Sequence, residues 1–292
     1  MALTCKICKS KNKKNLFKKD NYSFIKCTSC KLVSIDPIPS LKELMHYYVK
    51  KNEKGLNYDT NQYGLKKYVD FGFRDLIIDS ISIDRNVEII DIGCYCGLLL
   101  DAFKEKGYEK LYGIEMQEQA YKVARAKHKK IFKTTLEDFS KIKKYRNKFN
   151  IVIASGLIEH LRNPNDLILL ASNLLKDEGF LVIQTPFSDT FFAKSLGKFW
   201  PPYSAPEHIH YFSRQSIELL LAKNNLEIFK YLSHIKKLRL DYVFRMFRTF
   251  GTNILPIIKF FEFILPSFIL KRYFYFYGGE KIIISKKIKN KN

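Results

Sequence analysis

Apolar positions in this chain fall into two alternating patterns. Stretches near 87–93, 110–116, 131–135, 149–155 and 179–185 are largely apolar, as strands covered on both faces of a parallel sheet must be. Between them, 96–106, 117–128 and 164–176 carry apolar residues at helical spacing. Strand and helix in strict alternation predict an α/β fold with a doubly wound parallel sheet. Ser213 suits the N-cap of a further helix running to about Asn224, and 226–232 and 280–286 read as two more strands. Residues 40–84 read as helices rich in tyrosine (Tyr47, Tyr48, Tyr58, Tyr63, Tyr68), placed either to cover a pocket or simply to pack. From 234 to 278 basic and apolar groups interleave, which predicts a helical insertion between the last two strands.

The first strand leads into the most informative stretch. Asp91-Ile92-Gly93-Cys94-Tyr95-Cys96-Gly97 is a tight turn between a strand and a helix, and a second strand ends at Glu115. In an open parallel sheet such a unit binds a nucleoside at the carboxyl ends of its strands, with the second acid on the ribose hydroxyls. A dinucleotide needs bare backbone against its pyrophosphate, and Tyr95 stands where the middle glycine would be. The turn is therefore a poor phosphate cradle.

This turn resembles the first motif of class I S-adenosylmethionine-dependent methyltransferases, whose cofactor has no phosphate. Further stretches are similar to that family's later motifs in the expected order. They are Leu136-Glu137-Asp138-Phe139; Phe149 to Leu161, ending Glu159-His160-Leu161; and Gly179 to Pro186. The resemblance implies a Rossmann-like class I methyltransferase fold, a mostly parallel seven-stranded sheet with its last strand antiparallel. It implies S-adenosylmethionine as cofactor, held by Asp91, Gly93, Cys94, Tyr95, Gly97, Glu115, Met116, Asp138, Phe139 and Ser155, with an acid in the 136–139 stretch receiving the adenine amino group.

Cys5-x-x-Cys8 and Cys27-x-x-Cys30 have the spacing of a four-thiolate zinc ribbon. The polar segment between them cannot build a core of its own, so a metal must supply folding energy. Four thiolates leave no open coordination position, which makes the zinc structural. The expected organisation is a zinc ribbon over 1–36, a helical linker or cap over 37–84, and a methyltransferase domain over 85–292 carrying the basic aromatic insertion.

Proton abstraction from a weak nucleophile calls for a base above strands four and five, and two stretches there hold histidine: Glu159-His160, and Glu207-His208-Ile209-His210-Tyr211-Phe212-Ser213. The second, with the cysteine ribbon, is similar to zinc-containing sugar C-methyltransferases. That resemblance implies His208 as base, Glu207 as its orienter, and His210 and Tyr211 as secondary polar contacts. Those enzymes carry an additional C-terminal domain, whereas this sequence ends soon after its last strand, so O-methylation of a sugar, glycan precursor or other polar small molecule is equally open.

Charge sharpens the alternatives. The chain of 292 residues carries +22, unevenly: 13 Lys+Arg against 5 Asp+Glu over 1–60, 25 against 21 over 61–233, and 13 against 3 over 234–292. Basic ends suit an anionic partner, so a zinc-ribbon RNA base methyltransferase is the main rival. Against it, Ser155-Gly156-Leu157-Ile158 stands where an amino-methylating enzyme would show Asn/Asp-Pro-Pro-Phe/Tyr. A non-catalytic scaffold is the third reading, opposed by the intact Asp91, Gly93, Gly97 and Glu115. The aromatic basic insertion suits an anionic membrane surface or a lid. The sequence opens on the cysteine motif with no apolar leader, and 254–270 is too short and too polar to span a bilayer, so a cytoplasmic location, peripheral at the inner membrane face, is expected.

Overall fold

The computed structural model describes residues 4–53, 72–249 and 255–289. Three antiparallel strands, β1 (Lys13–Lys19), β2 (Tyr22–Cys27) and β3 (Val33–Asp36), build the ribbon. Helix α1 (Leu41–Glu53) follows, started by a reciprocal cap in which Ser40 N donates to Glu43 Oε2 (2.6 Å) and Glu43 N donates to Ser40 Oγ (3.2 Å). Helix α2 runs over 72–81. Tyr58, Tyr63 and Tyr68 lie outside the described residues.

The main domain alternates as expected: β4 (Ile89–Ile92), α3 (Leu98–Glu105), β5 (Leu111–Ile114), α4 (Glu118–Lys127), β6 (Ile131–Phe132), α5 (Leu136–Lys141), β7 (Phe149–Ser155), α6 (Pro164–Leu174) and β8 (Leu175–Pro186). Then come α7 (Phe191–Leu196), β9 (His210–Tyr211), α8 (Arg214–Ala222), β10 (Leu226–Arg239), α9 (Leu240–Thr249), α10 (Leu255–Ile264), α11 (Ser267–Leu270) and β11 (Tyr273–Lys287). Seven strands form one sheet in the order β10-β11-β8-β7-β4-β5-β6. The five from β8 to β6 are parallel, and β11 runs antiparallel between β8 and β10.

The period-two alternation divides the core cleanly. Ile90, Ile92, Val152, Ala154, Leu181, Ile183 and Ile283 pack on one face; Ile89, Ile151, Ile153, Val182, Ile282 and Ile284 pack on the other. Fully burying each such side chain contributes roughly 1.5–3 kcal/mol. Helices cover both faces, which is why these strands lack a polar side.

Three expectations change. The 131–135 strand stops at Phe132, because Thr135 turns to cap α5. The ribbon is not self-contained within 1–36: β3 pairs with β9, matching Val33 to Tyr211 and Ser34 to His210, so the second sheet takes its fourth strand from the main domain. The insertion over 234–278 is not wholly helical either. β10 and β11 stay paired out to Arg239 and Tyr273, forming a two-stranded arm with α9, α10 and α11 at its tip. Since Glu280 pairs with Pro186, the last residue of β8, the arm continues past the carboxyl end of the parallel strands by about 23 Å at 3.3 Å per residue.

Candidate active site

The glycine turn sits at the tips of β4 and β5. Gly93 and Gly97 both adopt φ +75, and Tyr95 is left-handed at φ 49. The turn is pinned to β5: Gly93 N and Cys94 N donate to Ile114 O (2.8 and 3.0 Å). Glu115 closes it. Its Oε2 accepts from Tyr95 N at 2.8 Å and its Oε1 from Gln117 N at 2.7 Å. The carboxylate therefore faces the turn, and the second lone pair on each oxygen is still an acceptor for a diol. Asp91 is buried at the end of β4, Gly93 is exposed, Tyr95 is half-buried and Met116 is exposed beside Glu115. Ser155, at the end of β7, donates to Gln184 Oε1 at 2.8 Å.

Two expected cofactor contacts, Cys94 and Phe139, turn their side chains into the core. Cys94 turns inward: a Cβ on Gly113 would lie 2.6 Å from Cys94 Sγ, so the missing side chain on β5 is what lets the thiol pack there. Burial pushes that thiol well up, and only its backbone faces the turn. Phe139 is fully buried, stacked on Tyr145 at 4.4 Å between ring centres, within the core. Asp138 is exposed and also serves α5: its N–H donates to Thr135 Oγ1 (3.0 Å), Thr135 Oγ1 donates to its Oδ2 (3.1 Å), and Lys141 holds its Oδ1 (2.7 Å). That carboxylate is an exposed cap residue, held below its usual range first by Lys141 and then by Thr135.

Beyond β7 and β8 a second cluster assembles from three separate segments. The cap on α1 places Leu44, Tyr47 and Tyr48 on one face, and Leu44 packs with Tyr203, Ile209 and Tyr211. Tyr47 Oη donates to Glu207 Oε2 at 3.4 Å; burial, reinforced by that carboxylate, pushes the phenol up to about 12, so it keeps its proton. His160 Nδ1 is 2.9 Å from Glu207 O and 3.3 Å from Tyr48 Oη. His208 Nδ1 is 2.8 Å from Pro202 O. A carbonyl only accepts, so Nδ1 carries the proton in both rings and Nε2 is the basic nitrogen of each. The rings lie 4.8 Å apart, edge to face. Ligand-capable atoms of Glu159, His160 and His208 all fall within 4.8 Å of one another. His208 thus takes its orientation from the Pro202 carbonyl, while Glu207 takes up Tyr47 and its carbonyl sets His160.

His210 and Tyr211 do not join this cluster, contrary to expectation. Both are fully buried in β9. His210 Nδ1 is 2.8 Å from Ser34 Oγ and its Nε2 is 3.4 Å from Arg162 O; burial drives its pKa down to about 4, so it is neutral. Tyr211 Oη donates to His208 O at 3.1 Å. They tie this loop to the ribbon and to the main domain from within the core.

Thr185, Gln184 and Glu280 join this end of the sheet although no motif marks them. Thr185 Oγ1 donates to Glu159 Oε2 at 2.9 Å, and Gln184 bridges Ser155 to Glu280, which also pairs with His234 at 3.3 Å and with Lys236. A polar residue at the last positions of an otherwise apolar strand was the available signal. Glu159 is 2 % exposed, and burial pushes its pKa up to about 8. A folded-state carboxyl above its unfolded value holds a proton that the unfolded chain releases. Its contribution is therefore complete below about pH 4.5 and is lost as pH rises towards 8. Glu159→Gln should flatten the fall in stability between pH 5 and 8, an effect of up to about 4 kcal/mol. Urea unfolding of both proteins across that range measures it; parallel pH curves would show Glu159 ionised throughout.

The cysteine quartet forms a separate cluster. Cys5 Sγ is 3.4 Å from Cys30 Sγ and Cys8 Sγ is 3.5 Å from Cys27 Sγ, with all four within 4.8 Å. These separations are far beyond a disulfide bond of about 2.05 Å. They approach the roughly 3.8 Å edge of a tetrahedron with zinc–sulfur bonds of about 2.3 Å. Cys27 and Cys30 are buried with Ile7 and Leu32 against Phe212 and Ile217.

Residues 35–231 match the family model described as a methyltransferase domain. A ubiquinone biosynthesis O-methyltransferase of Glaesserella parasuis serovar 5 (strain SH0165) is 35% identical over 106 residues, 34% of this chain and 44% of that protein. One of the same description from Bartonella quintana (strain Toulouse) is 24% identical over 156 residues, 49% of this chain and 62% of that protein. The chain thus matches less than two thirds of these relatives' length. Among solved structures, magnesium protoporphyrin IX methyltransferase from Synechocystis PCC 6803, with bound SAH, superposes at TM-score 0.52 with 13% identity, covering 84% of this chain and 99% of that one. The [4+2]-cyclase SpnF superposes at 0.51 with 15% identity, covering 75% and 80%. At such identities the likeness is one of fold, and the cyclase is a reminder that this fold alone does not name a reaction.

Proposed function

The chain belongs to the methyltransferase-domain family, and from that premise we propose that it is an S-adenosylmethionine-dependent methyltransferase whose acceptor is a sugar, glycan precursor or other polar small molecule. The observation that carries this reading is Glu115 facing the glycine turn at one end of the sheet, with two imidazoles presenting basic nitrogens beyond the neighbouring strands. Gly93, Tyr95, Gly97, Asp91, Glu115 and Met116 are the residues of this chain that would hold the cofactor; Ser155 borders it. Bound there, S-adenosylmethionine would supply an electrophilic methyl group on its sulfonium.

The protein's part is alignment and proton removal. His208 Nε2 would take the proton from the acceptor atom that is to be methylated. His208 Nδ1, fixed on Pro202 O, prevents the ring from turning its other nitrogen to the substrate. Glu159, with an oxygen within 4.8 Å of both imidazoles, is pushed by burial towards its neutral form and so adds little competing charge. An oxygen acceptor is favoured by the relatives' description as O-methyltransferases; a carbon beside a ketone is favoured by the similarity of the 207–213 loop to sugar C-methyltransferases. Cys5, Cys8, Cys27 and Cys30 would hold a structural zinc, whose donor set and spacing they fit.

Titration calorimetry tests the cofactor assignment. Glu115→Ala should weaken S-adenosylmethionine binding by roughly 10²- to 10⁴-fold, the loss of two hydrogen bonds to a charged acceptor. An unchanged affinity would remove Glu115 from the cofactor site. Absence of binding heat in the unaltered protein would favour the scaffold reading.

A further inference from the structure

The arm formed by β10 and β11 ends in an unusual surface. On α10, Ile258 is buried and Glu262, one turn on, pairs with Arg248 of α9 at 2.9 Å. The opposite face carries Phe260, Phe263 and Ile264, spaced i, i+3, i+4, and it is open to solvent. Phe263 is 88% exposed, Phe260 59%, Phe268 on α11 67%, and Tyr275 on the adjoining strand 79%. Soluble surfaces seldom gather so many bare aromatic rings at one projecting tip. Lys259, Lys271 and Arg272 are exposed beside them, and none is in an ion pair among the described residues. Over 234–278 there are eight Lys+Arg and two Asp+Glu, and one of those acids is the inward-facing Glu262.

We propose that this tip docks on an anionic phospholipid surface, with the rings of Phe260, Phe263 and Phe268 entering the interface and Lys259, Lys271 and Arg272 meeting the headgroups. The charge is of one sign, which disfavours pairing with a second copy of the same face. An aromatic, aliphatic helix face with flanking cations is the composition that lies in a bilayer interface. At ten residues α10 is about 15 Å long, enough to lie in that interface and too short to cross, and no helix among the described residues is long and apolar enough to span a membrane. The arm leaves the sheet at the carboxyl end of β8, the same end as Glu115 and His208. Docking therefore turns that end toward the bilayer; on the methyl-transfer reading, the acceptor is then an amphiphile presented from the membrane.

Sedimentation with vesicles of phosphatidylcholine containing about 30% phosphatidylglycerol, against phosphatidylcholine alone, tests the proposal. The protein should pellet with the anionic vesicles. Phe263→Asp with Phe268→Asp should weaken binding at least about tenfold, and Lys259→Glu with Lys271→Glu and Arg272→Glu should do the same while abolishing its salt dependence. Both variants alter exposed side chains and should keep the thermal midpoint and S-adenosylmethionine affinity of the parent, so a failure here is distinct from a failure of the cofactor assignment. Protein that stays in the supernatant, or variants that bind as the parent does, would overturn docking. A dimer in sedimentation equilibrium that Phe263→Asp splits would assign the face to a second copy instead.

Discussion

Replacing His208 with alanine should lower turnover by roughly 10²- to 10⁴-fold, the usual worth of a positioned general base, while S-adenosylmethionine binds as before. The separation follows from the architecture. The cofactor turn is held by β4 and β5, whereas His208 lies in the loop between α7 and β9, fixed by the Pro202 carbonyl at 2.8 Å. Removing the imidazole leaves Glu115 and the glycine turn untouched. His160 is the internal control. Its Nδ1 contacts are Glu207 O and Tyr48 Oη, so His160→Ala loosens the loop and α1 together and should raise the acceptor KM as well as lowering kcat. His208→Gln restores an acceptor of hydrogen bonds but no useful base, and should recover acceptor affinity without turnover. Full activity in His208→Ala with collapse in His160→Ala would make His160 the base. Activity in both would take proton removal away from the imidazoles.

The main sheet was legible because burial on both faces forces a simple rule: every position of β4 and β5 is buried, and the helices between carry one apolar stripe each. The same rule hid what lies outside it. β9 is two residues long and has no pattern to read; its existence depends on β3 arriving beside it from 176 residues away, Ser34 to His210. That pairing is why His210 and Tyr211, chemically plausible in a string of polar residues, turn out to be structural. Phe139 and Cys94 fail for a related reason. A motif gives the backbone's position, but whether a side chain faces ligand or core is decided by partners such as Tyr145 and the bare backbone of Gly113. Asp138 carries a duty that the motif does not announce, because Thr135 three residues before it makes the pair a helix cap. The arm departs from its sequence pattern in another way. Its residues do read as amphipathic helix, yet β10 and β11 extend each other across 12 paired positions, and local propensity does not weigh against a partner strand.

The second large effect is expected from the cysteine quartet, and it reaches further than the ribbon. Metal binding in four-thiolate peptides is worth about 10–16 kcal/mol and is inseparable from their folding. Here the ribbon also has apolar support: Phe24, Val33 and Ile35 pack with Trp200, Tyr203, Ile209 and Tyr211. That support and the metal act on the same object, since β3 is the only strand paired with β9 among the described residues and β9 ends the loop bearing Glu207 and His208. Cys27→Ser with Cys30→Ser, or stripping by a strong chelator, should therefore lower the thermal midpoint by many degrees. It should also abolish turnover by releasing His208, while the β4–β5 turn still binds S-adenosylmethionine. Ser213 Oγ donates to Cys30 O at 3.1 Å, so the start of α8 should loosen too, visible as faster amide exchange over 208–217. Elemental analysis should find one zinc per chain, and re-addition should restore turnover along with exchange protection. Protein that carries no zinc as purified, and in which the double serine variant keeps both midpoint and turnover, would show that the thiols are packed without a metal and that the loop stands on its apolar contacts alone.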